Sequence, residues 1–403
     1  MPEVELSWLT PRGLGAGKEP GKKGVLQVAG GLPGETVTYE PSGQRGSTRF
    51  GALRAIKNPS KHRRVPSCPW DATCGGCDLS FVEPEHRLEL LGGVVQRLLK
   101  WPARPEVVAS PLASGHRARI TLAITEHGLG YHVTGSNDLV AIESCAVARP
   151  EIQRAHQQLR AWMAEHTDMH ASFRSVELRS DGTRVVYSFL TQRTPARRLR
   201  QALADLGDVA IDGQAIHGNP TLRLASTCAQ LRASPLSFYQ VNLEVNRQLV
   251  RTAQQWIREQ QPERLLDLYC GIGNMSCGLW AEVPTVGIEN EGQAIEDCRA
   301  TAVELDVQHN LTTHACAAQS FDFSSEAFDV ALIDPPRSGT DGVVERILRN
   351  RPRALIYVSC NLAAAVSDLR SAQAKGYAIT QVKCFDMFPD THHLETILLL
   401  QRT

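Results

Sequence analysis

The feature that most constrains the fold is a regular alternation of apolar runs and helical periodicity from about residue 238 to the C-terminus. The runs are short enough to be single strands, and the stretches between them repeat apolar residues every three or four positions. The elements predicted in chain order are a helix over 244–260, a strand over 264–269, a helix, a strand over 284–289, a helix over 292–304, and strands that end at Asp334, at Ser359 and near the C-terminus. Strands joined through helices pair in parallel by right-handed crossovers, so a Rossmann-like α/β domain with a mostly parallel sheet is predicted.

The rest of the chain is predicted to form two further domains, because 403 residues are too many for one ordinary core. Residues 1–66 are dense in glycine and proline and contain short alternating runs, which predict a small antiparallel β-barrel. Residues 67–237 mix strand-like and helical stretches and predict a central α+β domain, with the α/β domain over 238–403. These bounds place a helix predicted over 84–101 in the central domain. The alternative is that this helix packs with the α/β domain.

Charge and composition narrow the class of protein. The chain has 43 basic and 43 acidic residues, which argues against a uniformly basic nucleic-acid binder. Residues 1–66, however, carry a net charge of +6, and a local basic module of this kind indicates binding to a polyanion. No run of eighteen apolar residues occurs and the first residues lack the pattern of a signal peptide, so we expect a cytoplasmic protein with no membrane partner.

The glycine-rich stretch after the first strand of the α/β domain predicts a nucleoside-binding turn. Residues Leu265–Asn274 read LLDLYCGIGN, and Glu289 ends the next strand, where a carboxylate can accept hydrogen bonds from two ribose hydroxyls. The plainer alternative is that the glycines only close a tight turn. The stretch lacks the third glycine of the dinucleotide fingerprint, and a later strand leads into the rigid Asp334-Pro335-Pro336, so S-adenosylmethionine is favoured over a dinucleotide.

A cysteine-rich loop precedes the central region. Eleven cysteines in a chain expected to be intracellular indicate metal or catalytic use rather than disulfide bonds. Cys68, Cys74 and Cys77 are spaced as C-x5-C-x2-C, and three thiolates need a distant fourth ligand, for which Cys145 is the candidate. From the spacing alone, zinc is the default metal.

Five motifs in a fixed order resemble those of the RNA uracil-C5 methyltransferases, which are class I enzymes that depend on S-adenosylmethionine. The resemblance covers nearly the whole chain, and the N-terminal barrel with its GLPGE turn is similar to the TRAM domain of the iron-sulfur 23S rRNA (uracil-5-)-methyltransferases. The motifs are Ser237–Asn242 (SFYQVN), Asp267–Asn274 (DLYCGIGN), Asp334–Gly339 (DPPRSG), Val358–Asn361 (VSCN) and His393–Thr396 (HLET).

The resemblance implies methyl transfer to C5 of a uridine through a covalent adduct between a cysteine thiolate and C6 of the base. Cys360 would be the nucleophile and Glu395 the base that removes the C5 proton. If the late strands are all parallel, both residues lie at the edge of the sheet that carries the glycine turn. The residues implied to line the cofactor pocket are Gln240, Tyr269, Asn274, Glu289 and Asp334. Some family members bind adenine with an asparagine where this chain has Ala318-Gln319, so that contact is unassigned and Gln319 is the candidate.

The resemblance also bears on metal and RNA. It implies a [4Fe-4S] cluster on Cys68, Cys74, Cys77 and Cys145, with zinc as the alternative, and a monomer that acts on 23S rRNA, with tRNA second. His62–Arg64 and His116–Arg119 are candidate phosphate contacts. The remaining thiols outside a motif of reactive groups are interpreted as packing residues: Cys270, Cys277, Cys298, Cys316 and Cys384.

Two other classes of protein stay open on the sequence. An exocyclic-amine methyltransferase also carries a D-P-P motif but needs no cysteine nucleophile. A non-catalytic RNA-binding or folding protein could keep the cofactor fold.

Overall fold

The computed structural model describes residues 1–133, 136, 138–227 and 230–403. The chain forms two compact units, of which the first comprises Met1–Ala109 and Lys383–Glu395 and the second comprises Ser110–Val382 and Thr396–Thr403. The domain boundaries at 66/67 and 237/238 stay predictions. Of the helices in the described part of the chain, none is both long and apolar enough to span a bilayer.

The N-terminal part of the first unit is a six-stranded sheet with the order β1-β5-β6-β4-β3-β2. Its strands are β1 (Glu3–Glu5), β2 (Trp8–Leu9), β3 (Gly15–Gly17), β4 (Val25–Val28), β5 (Thr36–Arg45) and β6 (Thr48–Ile56). Neighbouring strands pair antiparallel, as predicted, except β4 and β6, which are parallel. The exception arises because the β5–β6 hairpin places its second strand, not its first, beside β4. One face packs the apolar cluster Val4, Leu6, Leu26, Val28, Val37 and Tyr39.

The GLPGE turn between β4 and β5 is held by its own glutamate. The Glu35 carboxylate is fully buried and accepts backbone hydrogen bonds from Leu32 and Ser60, both at 2.9 Å. Arg63 donates to both carboxylate oxygens, from Nε at 2.6 Å and from Nη2 at 2.8 Å. Burial by itself would raise the pKa of Glu35, but Arg63 and the two backbone N–H groups together lower it below the usual value. Arg63, a candidate phosphate contact, is therefore a structural partner of this turn.

Replacing Glu35 by glutamine is expected to destabilise the first unit by about 3 kcal/mol, because Arg63 then loses its anionic partner. The pKa of Glu35 is lower in the folded chain, so the carboxylate's contribution is fully present above the unfolded pKa and is lost as pH falls through the folded pKa. Urea unfolding at neutral and at acidic pH checks this: the gap between wild type and Glu35→Gln should shrink in acid. Glu40→Gln, which breaks an exposed pair with Arg54, is the control and should cost under about 1 kcal/mol. Equal losses in the two variants would contradict the expectation.

A helix and a short strand complete the first unit. The helix α1 (Pro84–Leu99) begins with proline at its first turn and confirms the helix predicted over 84–101. It buries Leu91, Val94 and Val95 on one side, together with the side chain of Arg87. The strand β7 (Glu106–Val108) pairs in parallel with Lys383–Phe385.

The second unit begins with a seven-stranded sheet of order β10-β9-β8-β11-β12-β13-β14, followed by a separate hairpin of β15 and β16. This matches the α+β character predicted for the central region. The strands are β8 (Arg119–Thr125), β9 (Gly128–His132), β10 (Leu139–Ala141), β11 (Phe173–Ser180), β12 (Val185–Thr191), β13 (Asp208–Ile211), β14 (Gln214–His217), β15 (Leu222–Ala225) and β16 (Gln230–Ala233). The helices of this part are α2 (Pro150–Glu165) and α3 (Arg197–Ala202).

The predicted α/β sheet is formed mainly by the C-terminal part of the second unit, and its strands follow the order β19-β18-β17-β20-β21-β23-β22. The strands are β17 (Leu265–Leu268), β18 (Thr285–Glu289), β19 (Leu311–Ala315), β20 (Val330–Ile333), β21 (Ala354–Ser359), β22 (Tyr377–Phe385) and β23 (Glu395–Arg402). Pairings from β19 to β21 are parallel, as predicted. The expectation of a parallel last strand is wrong, because β23 runs antiparallel to β21.

The helices of this part are α4 (Leu243–Glu259), α5 (Gly292–Glu304), α6 (Val343–Ile347) and α7 (Leu362–Ala374). Short 3-10 helices span Met169–Ala171, Leu203–Leu206, Cys277–Leu279, Gln308–Asn310, Ala318–Ser320, Phe323–Ser325 and Leu348–Asn350. The helices predicted over 244–260 and 292–304 are confirmed.

The helix predicted directly after the glycine turn is wrong, since turns and the 3-10 helix Cys277–Leu279 occupy that stretch. The reason is local packing. A Cβ at Gly273 would overlap the buried indole of Trp280, whose N–H donates to the Ser276 hydroxyl at 3.0 Å.

Candidate active site

The turn after β17 folds the backbone back toward the end of β18. Tyr269 and Gly271 both have positive φ angles, of 62° and 53°. With the backbone reversed in this way, the Gly271 N–H donates to Oε2 of Glu289, at 3.1 Å. The other carboxylate oxygen of Glu289 accepts the N–H of Glu291 at 2.9 Å. The acidic residue predicted to contact a ribose is thus held beside the glycine turn, as its place in the sequence indicated.

Two acidic residues of this region, Asp334 and Asp267, have raised pKa values. Burial, and then the charges of Asp267 and Glu289, raise the pKa of Asp334 to about 7. Burial also raises the pKa of Asp267 to about 7, against a hydrogen bond from Ser276, and Glu289 adds to the shift. Oδ2 of Asp267 is buried and has no hydrogen-bond partner in the part of the chain that the structure describes. The region is therefore suited to a ligand that carries positive charge and hydrogen-bond donors.

Tyr269 adds a second buried polar group to the same place. Its hydroxyl has no hydrogen-bond partner among the described residues. Burial, and then the carboxylates of Asp368, Glu289 and Asp341, raise the pKa of Tyr269 to about 12. The phenol therefore stays protonated near neutral pH and is available to donate or accept a hydrogen bond to a ligand.

Asn274 directly follows the glycine turn, and Gln240 shortly precedes helix α4. The side chains of Asn274 and Asn246 exchange two hydrogen bonds, each of 2.9 Å, which join the turn to helix α4. Gln240 is 8% exposed and comes just before α4, whose first turn is capped by the Asn242 side chain through the N–H of Val245 at 3.2 Å. The cofactor contacts predicted for both residues stay predictions.

Cys360 directly follows the last residue of β21, and one residue, Asn361, separates it from helix α7. Its side chain is half-buried. Asn361 fixes the local backbone, because its N–H donates to Oγ of Ser359 at 3.1 Å and its side-chain amide donates to the Arg337 carbonyl at 3.0 Å. This ties the D-P-P-R stretch to the thiol-bearing turn. The N-terminus of α7 favours negative charge at this position, which suits a nucleophilic thiolate.

A buried carboxylate on helix α7 also holds the turn that carries Cys360. Asp368, on α7, accepts the Tyr357 hydroxyl at 2.7 Å and the Thr340 N–H at 3.1 Å. Tyr357 lies in β21 and Thr340 follows the D-P-P-R stretch, so one side chain joins strand, helix and loop.

Glu395 is the first residue of β23 and is 1% exposed. Thr396 pairs with Ser359 across the antiparallel strands β23 and β21. Since Cys360 directly follows Ser359 and Glu395 directly precedes Thr396, both residues come at the same end of adjacent strands. The sequence predicts a shared edge on the assumption that the two strands are parallel. In the structure the two residues share an edge because β23 runs antiparallel to β21.

The cysteine loop is a series of tight turns. The Asp71 N–H donates to the Cys68 carbonyl at 3.2 Å, and the Cys74 N–H donates to the Trp70 carbonyl at 2.8 Å. The three thiols of the loop, Cys68, Cys74 and Cys77, are half-buried. The backbone at Gly76 lies close to a thiol, since a Cβ there would be 3.4 Å from Sγ of Cys74. Among the described residues, no group of three or more His, Cys, Asp or Glu side chains is arranged to hold a metal ion. Cys145 is half-buried and lies in the second unit.

The other cysteines agree with the packing interpretation, with one difference in exposure. Cys270, Cys277, Cys298 and Cys384 are buried, whereas Cys316 is half-buried. Gln319, the adenine candidate, is exposed, and its backbone carbonyl accepts a hydrogen bond from Arg346 at 2.5 Å.

Several candidate phosphate contacts have protein partners. His62 bonds to Glu83 at 2.9 Å, Arg63 to Glu35 and Arg64 to Asp390. In the second unit, Arg119 pairs with Glu177 at 3.2 Å and lies 4.6 Å above the ring of Phe238, which is 55% exposed.

Two residues of this site have no role assigned from the sequence. Asp267 begins the DLYCGIGN motif and carries a visible signal, an acid within the apolar run LLDL. Asn246 is 8% exposed but carries no signal, because an asparagine in a helix has the same sequence pattern whether it is buried or exposed.

Comparison with known proteins places the chain in a family. A family model of tRNA (uracil-5-)-methyltransferases matches residues 105–403. The chain is 31% identical to the 23S rRNA (uracil(1939)-C(5))-methyltransferase RlmD of Pectobacterium atrosepticum, over 98% of this chain and 92% of that protein. It is also 31% identical to RlmD of Shewanella halifaxensis, over 99% and 95%. The crystal structure of Pyrococcus abyssi tRNA (uracil-54, C5)-methyltransferase in complex with S-adenosyl-L-homocysteine has the same fold, with a TM-score of 0.79, 23% identity and coverage of 99% and 100%. The resemblance identified from the motifs is confirmed: the chain belongs to the tRNA (uracil-5-)-methyltransferase family and is an RNA uracil-C5 methyltransferase.

Proposed function

We propose that the protein transfers a methyl group from S-adenosylmethionine to C5 of a uridine in 23S rRNA. The observation that carries the chemistry is the register of β21 and β23, which brings Cys360 and Glu395 to the same end of adjacent strands. The choice of RNA rests on similarity to RlmD enzymes over nearly the full chain. Transfer RNA is the second candidate, favoured by the fold shared with a tRNA uracil-54 enzyme.

The proposed mechanism assigns one chemical task to each of two residues. The Cys360 thiolate adds to C6 of uracil, and the electron pair of the C5–C6 double bond makes C5 nucleophilic. C5 then forms its new bond to the methyl group as the bond between that methyl and the sulfonium sulfur breaks, and the electron pair of the broken bond stays on sulfur, which leaves as a neutral thioether. The Glu395 carboxylate takes the C5 proton; the electrons of that C–H bond restore the C5–C6 double bond, and the C6–S bond breaks to release the thiolate.

S-adenosylmethionine, when bound, supplies an electrophilic methyl group on a positively charged sulfonium. The residues beside the glycine turn fit such a ligand. Oδ2 of Asp267 and the hydroxyl of Tyr269 are buried without partners among the described residues, and Glu289 is held next to the turn. We assign Glu289 to the ribose hydroxyls, and Asp267 with Asp334 to the cationic part of the ligand. Gln240 and Asn274 complete the proposed pocket.

Glu289→Gln is expected to weaken S-adenosylmethionine binding about tenfold to one-hundredfold, since a charge-assisted hydrogen bond is lost. Isothermal titration of the protein with S-adenosylmethionine, without RNA, measures the change. Glu296→Gln is a matched control, because Glu296 is an exposed residue of the following helix α5. An unchanged affinity in Glu289→Gln would remove the residue from the pocket.

For the cysteine loop we propose a [4Fe-4S] cluster on Cys68, Cys74 and Cys77, with Cys145 as the fourth ligand predicted from the sequence. The support is the thiolate donor set in its C-x5-C-x2-C spacing. Methyl transfer needs no electron, so the role of the cluster would be structural. Anaerobic purification should give a brown protein with about four iron atoms and four sulfides per chain. A colourless protein with one zinc would select the alternative metal.

The N-terminal sheet is proposed to be a TRAM-like barrel that contacts RNA. Its support is the +6 charge of residues 1–66, with Lys18, Lys22, Lys23, Lys57 and Lys61 all exposed. The protein is further proposed to act in the cytoplasm as a monomer.

The RNA target is tested by incubating the protein with radiolabelled S-adenosylmethionine and either 23S rRNA or tRNA transcripts. Incorporation into 23S rRNA, mapped to one uridine as 5-methyluridine, is the expected result. Incorporation into tRNA alone would replace 23S rRNA with the second candidate. Methyl groups found on exocyclic amines would overturn the proposed chemistry.

A further inference from the structure

The segment that leads into Glu395 is anchored at several points by distant parts of the first unit. This segment, residues 386–394, joins the end of β22 to the start of β23 and is called here the approach segment. The partners of its side chains include Arg64, Asp78 and Arg87, about three hundred residues earlier in the sequence. The Asp386 N–H also donates to the Val108 carbonyl, at 2.9 Å. A loop that only needs to return the chain between two neighbouring strands requires no such partners.

The first anchor is a buried ion pair at the beginning of the approach segment. Arg87 of α1 donates to Oδ1 of Asp386 at 3.0 Å and to Oδ2 at 2.6 Å. Arg87 is 1% exposed and Asp386 is 3% exposed. The same guanidinium reaches the Thr391 carbonyl at 3.4 Å. The planar, bidentate geometry fixes both the position and the orientation of this end of the segment.

The second anchor holds the middle of the approach segment. Asp390 has a φ of +64°, and its backbone carbonyl accepts the Leu79 N–H at 2.9 Å. Its carboxylate forms an ion pair with Arg64, which also donates to the Ser80 carbonyl at 2.7 Å.

The third anchor lies three residues before Glu395. The His392 N–H donates to Oδ1 of Asp78 at 2.9 Å, and the His392 ring contacts the other oxygen of the same carboxylate. Thr391 closes the segment on itself, because its hydroxyl donates to the Phe388 carbonyl at 2.8 Å and accepts the His393 N–H at 3.2 Å.

We propose that Arg64, Asp78 and Arg87 are positioning residues that hold Glu395 for removal of the C5 proton. The inference rests on the proposed roles of Cys360 and Glu395. Glu395 is buried at the start of a strand, so its carboxylate cannot adjust to a displaced backbone by a large side-chain movement. Proton transfer tolerates little misplacement, since a shift of about 1 Å can cost about one-hundredfold in rate.

Displacement of Glu395 should slow release of the product but not formation of the adduct. A general structural defect would impair both steps together. Adduct formation needs Cys360 and the bound substrates, but not Glu395. Release needs Glu395 to take the C5 proton, after which the C6–S bond breaks. With 5-fluorouridine the C5 substituent cannot leave as a proton, so the methylated adduct accumulates. Its rate of formation reports thiolate addition and methyl transfer, without the later proton removal.

Asp390→Asn is the test variant. It removes the charge that pairs with Arg64, keeps a residue type that tolerates a positive φ, and leaves the candidate RNA-contacting cation in place. We expect 5-fluorouridine adduct formation within about twofold of wild type, turnover on uridine RNA reduced about tenfold to one-hundredfold, and a methylated covalent complex accumulating on uridine RNA. Arg64→Gln should behave in the same way, and Arg64→Lys should recover part of the turnover. Glu89→Gln, which removes an exposed pair with His86 on α1, is the control and should match wild type.

Each outcome decides the matter. Parallel losses of adduct formation and turnover in Asp390→Asn would show a structural role and overturn the proposal, as would unchanged turnover in both Asp390→Asn and Arg64→Gln. If wild-type protein forms no adduct with 5-fluorouridine-substituted 23S rRNA or tRNA, the proposed function itself fails, which is a different result from either of these.

Discussion

Cys360→Ala is expected to abolish methyl transfer, lowering the rate by at least about 10⁴, and to form no covalent complex with 5-fluorouridine RNA. Without the thiolate, C5 of uracil is too weak a nucleophile to attack a sulfonium methyl group. The loss should be in the chemical step, because Cys360 lies on a turn that Asn361 and Asp368 hold through other atoms. Titration should therefore show S-adenosylmethionine affinity close to that of wild type.

The matched control is Cys316→Ala, since Cys316 is also half-buried and lies in the second unit. Electrophoresis under denaturing conditions resolves the covalent complex, and incorporation of labelled methyl groups measures the reaction. Methyl transfer by Cys360→Ala at more than a few per cent of the wild-type rate would rule out the adduct mechanism.

Glu395→Gln is expected to impair product release and to leave adduct formation intact, in contrast to Cys360→Ala. The variant should form the adduct and transfer the methyl group, but release the product slowly, because no carboxylate is present to take the C5 proton. Loss of a general base lowers turnover by about 10²–10⁴. A protein–RNA complex that carries the labelled methyl group should therefore accumulate with ordinary uridine, whereas wild type is expected to release its product.

Glu345→Gln, at an exposed glutamate of α6 that accepts a hydrogen bond from Ser371, controls for loss of a carboxylate in the same half of the chain. Normal release by Glu395→Gln would assign the base to another residue. Loss of the 5-fluorouridine adduct in this variant would place Glu395 before the methyl transfer and not after it.

Much of the α/β fold was predictable because its signals are local. Helices α4 and α5 follow their apolar periodicity to within a residue, and the strands before Asp334 and Cys360 are unbroken apolar runs. The direction of β23 was not predictable in this way, since the run ILLL has the same pattern in either direction. The helix predicted after the glycine turn failed for a related reason: the contact between Gly273 and Trp280 depends on packing that the periodicity does not contain.

The candidate site shows the same division. Cys360, Glu395 and Glu289 were identified from motifs that place each of them at a strand end. The partners of the approach segment were not, because Arg87 and Asp386 lie 299 positions apart and neither belongs to a motif. Arg63 and Arg64 were predicted as candidate phosphate contacts, and their carboxylate partners were not predicted, for the same reason. A basic residue in a loop has the same sequence signal whether it meets phosphate or a buried carboxylate such as Glu35.

The central claim is that Cys360 forms the covalent bond to uracil in RNA, and one measurement addresses it directly. The wild-type protein is incubated with S-adenosylmethionine and 23S rRNA in which 5-fluorouridine replaces uridine, then digested with nuclease and protease and examined by mass spectrometry. The expected product is a single peptide in which Cys360 carries a methylated 5-fluorouridine nucleotide. A nucleotide on any other cysteine, or efficient methylation of ordinary 23S rRNA by a protein that yields no such peptide, would contradict the account.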